Sequence, residues 1–226
     1  MKYKIENLLP QEIEKRSFEI IEGELKKRGF EEKEPGTISI IKRVIHTSAD
    51  FDYAENLYFS QGVVGHTLEV LKNKPVIITD TNMGKAGINK AALEQFGCEV
   101  HCFMADKDVA EEAQKRGVTR ATVSMEKAFR LKEEGILKGE FIFAVGNAPT
   151  ALITLHELIL EKQFRPALVI AVPVGFVHVV EAKEMIEDLT IHCIVARGRK
   201  GGSNVAAGIC NALLYLAKAG LNDKSS

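Results

Sequence analysis

The sequence predicts a doubly wound α/β fold: a three-layer, mostly parallel sheet with helices on both faces, preceded by a helical N-terminal region. Three observations lead there. Short, mainly apolar runs occur at residues 75–80, 141–146, 167–172 and 191–196, each ending in a loop rich in glycine, proline or polar residues. Helical patterns separate them. With 46% apolar and 27% charged residues, the 226-residue chain can bury a sizeable core and is too apolar for disorder. A strand apolar at every position must be covered on both faces, the condition of a parallel sheet sandwiched by helices. The chain reads as one α/β domain, with residues 1–73 as the helical region, 74–220 as the core and 221–226 as a frayed tail.

Taken in order, Pro10 opens a helix over residues 11–28, with apolar Ile13, Phe18, Ile20, Ile21 and Leu25 and a stop at Gly29. A second helix is expected over 37–47, although its β-branched residues also suit a strand. A third is expected over 62–72. The segment between them, 55–62, resembles a protease-recognition tag, but Ser60 interrupts the order and the run reads as native. The strand at 75–80 ends in Asp80. A helix over 88–96, a strand over 99–103, and helices over 107–116 and 124–134 follow. After them come the apolar strands already named, and a last helix spans 203–218.

Composition narrows the function. A net charge of −1 provides no basic field for a general nucleic-acid binder, and the absence of Trp leaves few stacking platforms. Residues 1–16 lack a signal-peptide pattern, and no apolar run approaches the ~20 residues of a bilayer span, so a cytoplasmic location without membrane association is expected. Cys98, Cys102, Cys193 and Cys210 form no Cys-x-x-Cys pair and are expected as free thiols, with no metal site. The dinucleotide and Walker glycine patterns are both missing.

Two features carry chemistry. Arg43 and His46, three residues apart, share one face of the expected second helix. That pairing suits a substrate that bears carboxylates and needs a proton moved; alternatively, both side chains merely reach solvent. The loop 197–204, Arg-Gly-Arg-Lys-Gly-Gly-Ser-Asn, joins three cations by glycines directly before a helix. It invites an anion, with backbone amides free to approach it. A solvated basic turn capped by Ser203 is the plainer alternative. His101 and His192 are expected as hydrogen-bonded core residues on inner strands. Asp50 and Asp52 are expected to cap a turn, and His178 follows a loop that could approach the site.

Several strings share their order with one known family. They are Arg16-Ser17-Phe18, Arg43-x-x-His46, Ala54-Glu55-Asn56-Leu57 with Phe59-Ser60, Asp80-x-x-Met83, the segment from Gly146 through Asn147 and Thr150 to Leu152, Pro173-Val174-Gly175-Phe176-Val177, and Arg199-Lys200-Gly201-Gly202-Ser203. On these the chain resembles the precorrin-8X methylmutases (cobalt-precorrin-8 methylmutases) along nearly its whole length. The resemblance implies a flavodoxin-like sheet, a homodimer and no cofactor. The implied reaction is migration of a methyl group between adjacent ring C carbons of a corrinoid precursor in cobalamin biosynthesis, giving cobyrinate or hydrogenobyrinate. His46 is implied as proton donor and acceptor, and Ser17 and Arg43 as substrate contacts. Asn147, Thr150, Arg199, Lys200, Gly201, Gly202 and Ser203 are expected at the same substrate. Met83, Phe176 and Val177 are expected as apolar walls around the ring. The rivals are a non-catalytic tetrapyrrole or polyanion carrier and an α/β enzyme acting on a phosphate ester.

Overall fold

Six strands form one sheet in the order β1-β6-β5-β4-β2-β3. They are β1 (Leu57–Phe59), β2 (Val76–Thr79), β3 (Glu99–His101), β4 (Phe141–Val145), β5 (Leu168–Ala171) and β6 (Cys193–Ala196). The computed structural model describes residues 8–32 and 34–222. Strands β2 to β6 are mutually parallel, while β1 pairs antiparallel with β6, Leu57 opposite Ala196. Numbered among themselves, the parallel strands run 2-1-3-4-5, the flavodoxin-like order. Every residue of β2, β4, β5 and β6 is buried, as their unbroken apolar runs require.

Two apolar layers flank the sheet. On one face lie α1 (Pro10–Lys27), α2 (Thr37–Ser48), α4 (Val63–Leu71), α6 (Lys90–Phe96) and α11 (Ser203–Asn222), around Ile40, Val44, Ile77, Ile209 and Leu213. On the other lie α7 (Lys107–Arg116), α8 (Arg120–Glu133), α9 (Pro149–Glu161) and α10 (Val179–Glu187), around Phe141, Phe143, Leu152 and Ile186. Two short helices, α3 (Tyr53–Asn56) and α5 (Asn82–Gly87), complete the set.

Local chemistry explains most boundaries. Pro10 sits in the first turn of α1, and the Glu12 carboxylate accepts from the Leu9 N–H at 2.9 Å. The second helix wins over the strand its β-branched residues would suit. Its Thr37, Ile40, Ile41, Val44 and Ile45 recur at helical spacing, and all five are buried. Against α2 lies α11, running the opposite way: Gly36 meets Leu216, and Gly208 meets Thr47 and Arg43. The C-terminal turn of α2 therefore arrives beside the N-terminus of α11, at the carboxyl edge of the sheet.

Four expectations change. Residues 57–59, placed in the helical region, form the edge strand β1, where the tag-like segment is integral to the sheet. Residues 82–87 are helical, because the Thr81 hydroxyl caps the Gly84 N–H at 2.9 Å and so outweighs two glycines. Leu221 and Asn222, assigned to the tail, continue α11, while 223–226 lie outside the described residues. Finally, α11 is long and apolar enough by composition to cross a membrane. In the sequence its small residues hid that run. They pack instead against α2, α4, α5 and α6, and 56% of its apolar window is buried.

The turn after α2 ends in Ala49 with φ 54°, a left-handed conformation that glycine adopts without strain. Replacing Ala49→Gly should raise the unfolding free energy by about 0.5–1 kcal/mol, the relief of Cβ strain less the added freedom of the unfolded chain. Urea denaturation of the two proteins measures it, and a destabilised glycine variant would contradict the strain argument.

Candidate active site at the carboxyl edge of the sheet

Because β2, β4, β5 and β6 are parallel, the loops that follow them emerge at one edge. The strand order reverses between β2 and β4, and ligands of such sheets bind in the crevice there. In this chain a side chain already occupies that crevice. The Asp80 carboxylate, 1% exposed, accepts from the N–H groups of Gly146, Asn147 and Ala148 at 2.7–2.8 Å. Burial pushes this carboxyl above the usual range, and the three N–H bonds pull it back. The amides that would hold a phosphate at the start of α9 are spent on Asp80. A Cβ on Gly146 would fall 2.7 Å from the Ser203 Cα, so β4 and α11 meet backbone to backbone. Beside them the hydroxyls of Thr81 and Ser203 pair at 2.7 Å.

His46 lies exposed on the last turn of α2. Its ring stacks on Phe18 of α1, with centroids 5.1 Å apart. One turn earlier, the Arg43 guanidinium sits 4.7 Å from the Phe18 ring centre and 4.9 Å from that of Tyr215. Glu14 pairs with Arg43 from α1. Ser17, next to Phe18, donates its hydroxyl to the Ile13 carbonyl at 2.9 Å. Arg43 and His46 thus meet at Phe18 where α1 crosses α2, with Ser17 the preceding residue of α1, and Glu14, which the sequence reading did not select, also holds Arg43.

The basic loop reaches the same corner. Lys200 bonds both Asp50 and Asp52 at 2.6 Å, tying the loop to the turn that follows His46. The Lys200 ammonium holds the Asp50 carboxyl below its usual range. Asp50 also accepts from the Asp52 N–H at 3.0 Å, so the expected turn cap is present as well. Arg199 is exposed, with its guanidinium 5.7 Å from the centre of the Phe176 ring and no ion pair among the described residues. Arg197 differs: it pairs with Glu187 and stacks on Tyr58.

Two expectations for this loop change. The Gly202 N–H is not free for a ligand, because it donates to the Val172 carbonyl at 2.9 Å. A Cβ on Gly201 would lie 2.1 Å from that same oxygen, so these glycines serve close packing onto the end of β5. Ser203 is the first residue of α11, with its hydroxyl on Thr81, and does not cap the turn. Among the remaining candidates, Met83, Phe176 and Val177 are 71%, 83% and 73% exposed, an apolar fringe around the carboxyl edge. Asn147 is exposed and contributes its N–H to Asp80. Thr150 is not brought to the others. Its hydroxyl bonds Thr119 at 2.8 Å on the opposite layer, because α9 packs there against α8.

The histidines expected in the core also move. His101 closes the edge strand β3 and bonds Glu99, while His192 precedes β6 and stacks on His66 at 4.0 Å. His178 is the exposed residue before α10, with φ 57°. Among the described residues no three of His, Cys, Asp and Glu converge on a point that could hold a metal. A cavity of about 830 Å³ opens between the α1–α2 loop, α3 and β1, and Arg197 is the one residue of the basic loop that lines it. Glu31, Glu32, Glu34 and Glu55 line it together with Arg28 and Arg197. A smaller hollow of about 270 Å³ adjoins Phe18, Arg43 and Tyr215.

Removing the buried acceptor should be costly. Asp80→Ala should lower the unfolding free energy by about 2–5 kcal/mol, since each stranded buried donor costs about 1–3 kcal/mol. The folded-state pKa of Asp80 is raised. The proton-linked part of its contribution is therefore complete below the unfolded pKa and lost as pH climbs through the folded one, while the three N–H bonds to the carboxylate remain. Asp80→Asn should accordingly flatten the pH profile of stability on the acid side, as denaturation across that range would measure.

The geometry accompanies clear similarity to known proteins. The family model described as precorrin-8X methylmutase matches residues 12–216. The chain is 42% identical over 208 residues to the cobalt-precorrin-8 methylmutase of Salmonella typhimurium, covering 91% of this chain and 95% of the relative. It is 39% identical over 217 residues to the protein of that name from Priestia megaterium, covering 96% and 92%. The crystal structure of precorrin-8x methyl mutase from Thermus thermophilus superposes with a TM-score of 0.82 at 37% identity, covering 93% of this chain and 97% of the other.

Proposed function

The chain belongs to the precorrin-8X methylmutase family and is an isomerase of cobalamin biosynthesis, and we propose that His46 moves the proton that drives its methyl shift. The observation that carries this reading is the corner where α1 crosses α2. There an exposed imidazole, stacked flat on Phe18, stands one turn from a guanidinium at the carboxyl edge. An imidazole can give a proton to the macrocycle and take one back. Protonating a ring position next to ring C promotes migration of the methyl group to the adjacent carbon and lengthens the conjugated path.

The substrate of this reading is a corrinoid precursor fringed by carboxylates. Arg43 and Arg199 grip those carboxylates as planar forks and Lys200 as a point charge. Ser17 adds a hydroxyl, and Met83, Phe176 and Val177 close over the ring. Exposed ion pairs are weak, so substrate carboxylates can take Arg43 and Lys200 from Glu14, Asp50 and Asp52 at small cost. We further infer a cytoplasmic homodimer acting on the cobalt-containing substrate, the form named for the Salmonella and Priestia relatives. The exposed fringe around Phe176 supports the dimer as much as it supports a ligand wall.

His46→Ala should lower turnover about 10²–10⁴-fold, the usual worth of general acid–base catalysis, while binding of cobyrinate changes little. Arg43→Ala should act mainly on KM. An absorption time course reads both, because the methyl shift alters the chromophore. Turnover near wild type in the His46 variant would remove that residue from the mechanism. Binding of substrate with no spectral change in the wild-type protein would leave a carrier.

A further inference from the structure

Lys183 belongs to the buried stripe of α10, alongside Val179, Ala182 and Ile186, and is 1% exposed. Burying an ammonium is costly unless it finds partners. No carboxylate pairs with Lys183 among the described residues. Its Nζ donates instead to two backbone carbonyls of the basic loop, Gly198 and Lys200, each at 2.8 Å. The carbonyl between them, that of Arg199, accepts from the Gly175 N–H at 3.2 Å. Three successive carbonyls are therefore drawn into the protein. Fixing three peptide planes fixes the directions in which the intervening side chains leave the backbone. Those side chains are Arg199, over Phe176, and Lys200, on Asp50 and Asp52.

We propose that Lys183 is a positioning residue: it clamps the basic loop from beneath, so that Arg199 and Lys200 face the substrate carboxylates together, with a fixed positive charge behind them. This rests on the substrate reading given above. Catalytic chemistry is not assigned to Lys183, which touches backbone alone. Burial lowers its pKa to about 8, so the clamp is cationic at neutral pH and loses its charge in mildly alkaline solution. Glu184 and Glu187 of α10, Asp188 just after it, and Arg197 of the loop share the small hollow beside it, and Arg197 already occupies Glu187.

The test is a double-mutant cycle read as the dissociation constant for cobyrinate, with Lys183→Met, Arg199→Ala and the double variant. Lys183→Met should raise that constant and KM about tenfold while kcat falls less than about threefold, and Lys183→Arg should recover most of the loss. If Lys183 acts through Arg199, the Arg199→Ala penalty should shrink at least about threefold in the Lys183→Met background, because coupled sites are not additive. Additive penalties, or unchanged affinity in Lys183→Met, overturn the positioning role. Unchanged affinity in Arg199→Ala instead overturns the carboxylate-binding role of the loop. Should Lys183→Met fail to fold by circular dichroism, Lys183→Gln, which keeps N–H donors without the charge, takes its place in the same cycle. The same coupling then supports the proposal, and additivity refutes it.

Discussion

The carboxylate of Asp80 is the contact on which the arrangement depends. It bridges the ends of the adjacent strands β2 and β4, where the strand order reverses, and satisfies three N–H groups just before α9. A doubly wound sheet presents an electropositive crevice at that point. Here the crevice is neutralised from within. The cations of the carboxyl edge lie in the flanking loop before α11, which reaches the turn after His46 through Lys200.

Charge around the proposed site is balanced locally. Arg43 faces Glu14, Lys200 faces Asp50 and Asp52, and Arg197 faces Glu187. These pairs keep the free protein near neutrality and prevent a strongly basic surface from collecting unrelated polyanions. Arg199 departs from the pattern, resting on an aromatic face. Because surface pairs contribute little, they can be exchanged for substrate carboxylates. The two pairings through Lys200 also connect two loops about 150 residues apart in the chain.

The same physical distinction separates what could be read from residues alone and what could not. Fully apolar strands such as 141–145 betray burial on both faces, and Pro10 and Gly29 mark the ends of α1, because these signals are local. The edge strand β1 escaped such reading. Three residues between a helical turn and a glycine hold no period, and their pairing partner lies far along the chain. Lys183 was not singled out in the sequence, although a lysine among Val179, Ala182 and Ile186 interrupts an otherwise apolar face. Nothing in that spacing names Gly198 and Lys200 as its acceptors.

By itself the sequence determined the sheet class, the helical approach to it, and the family through motifs in a shared order, including Arg43-x-x-His46 and the Arg199–Ser203 run. Periodicity, turn residues and motif order are properties of neighbours along the chain. Only the tertiary structure decided that Asp80 fills the crevice at the strand reversal, that the Gly202 amide is spent on Val172, and that Thr150 turns away toward Thr119. Each of these is a hydrogen bond between segments distant in sequence. Such a bond exists only once packing has brought its donor and acceptor within about 3 Å.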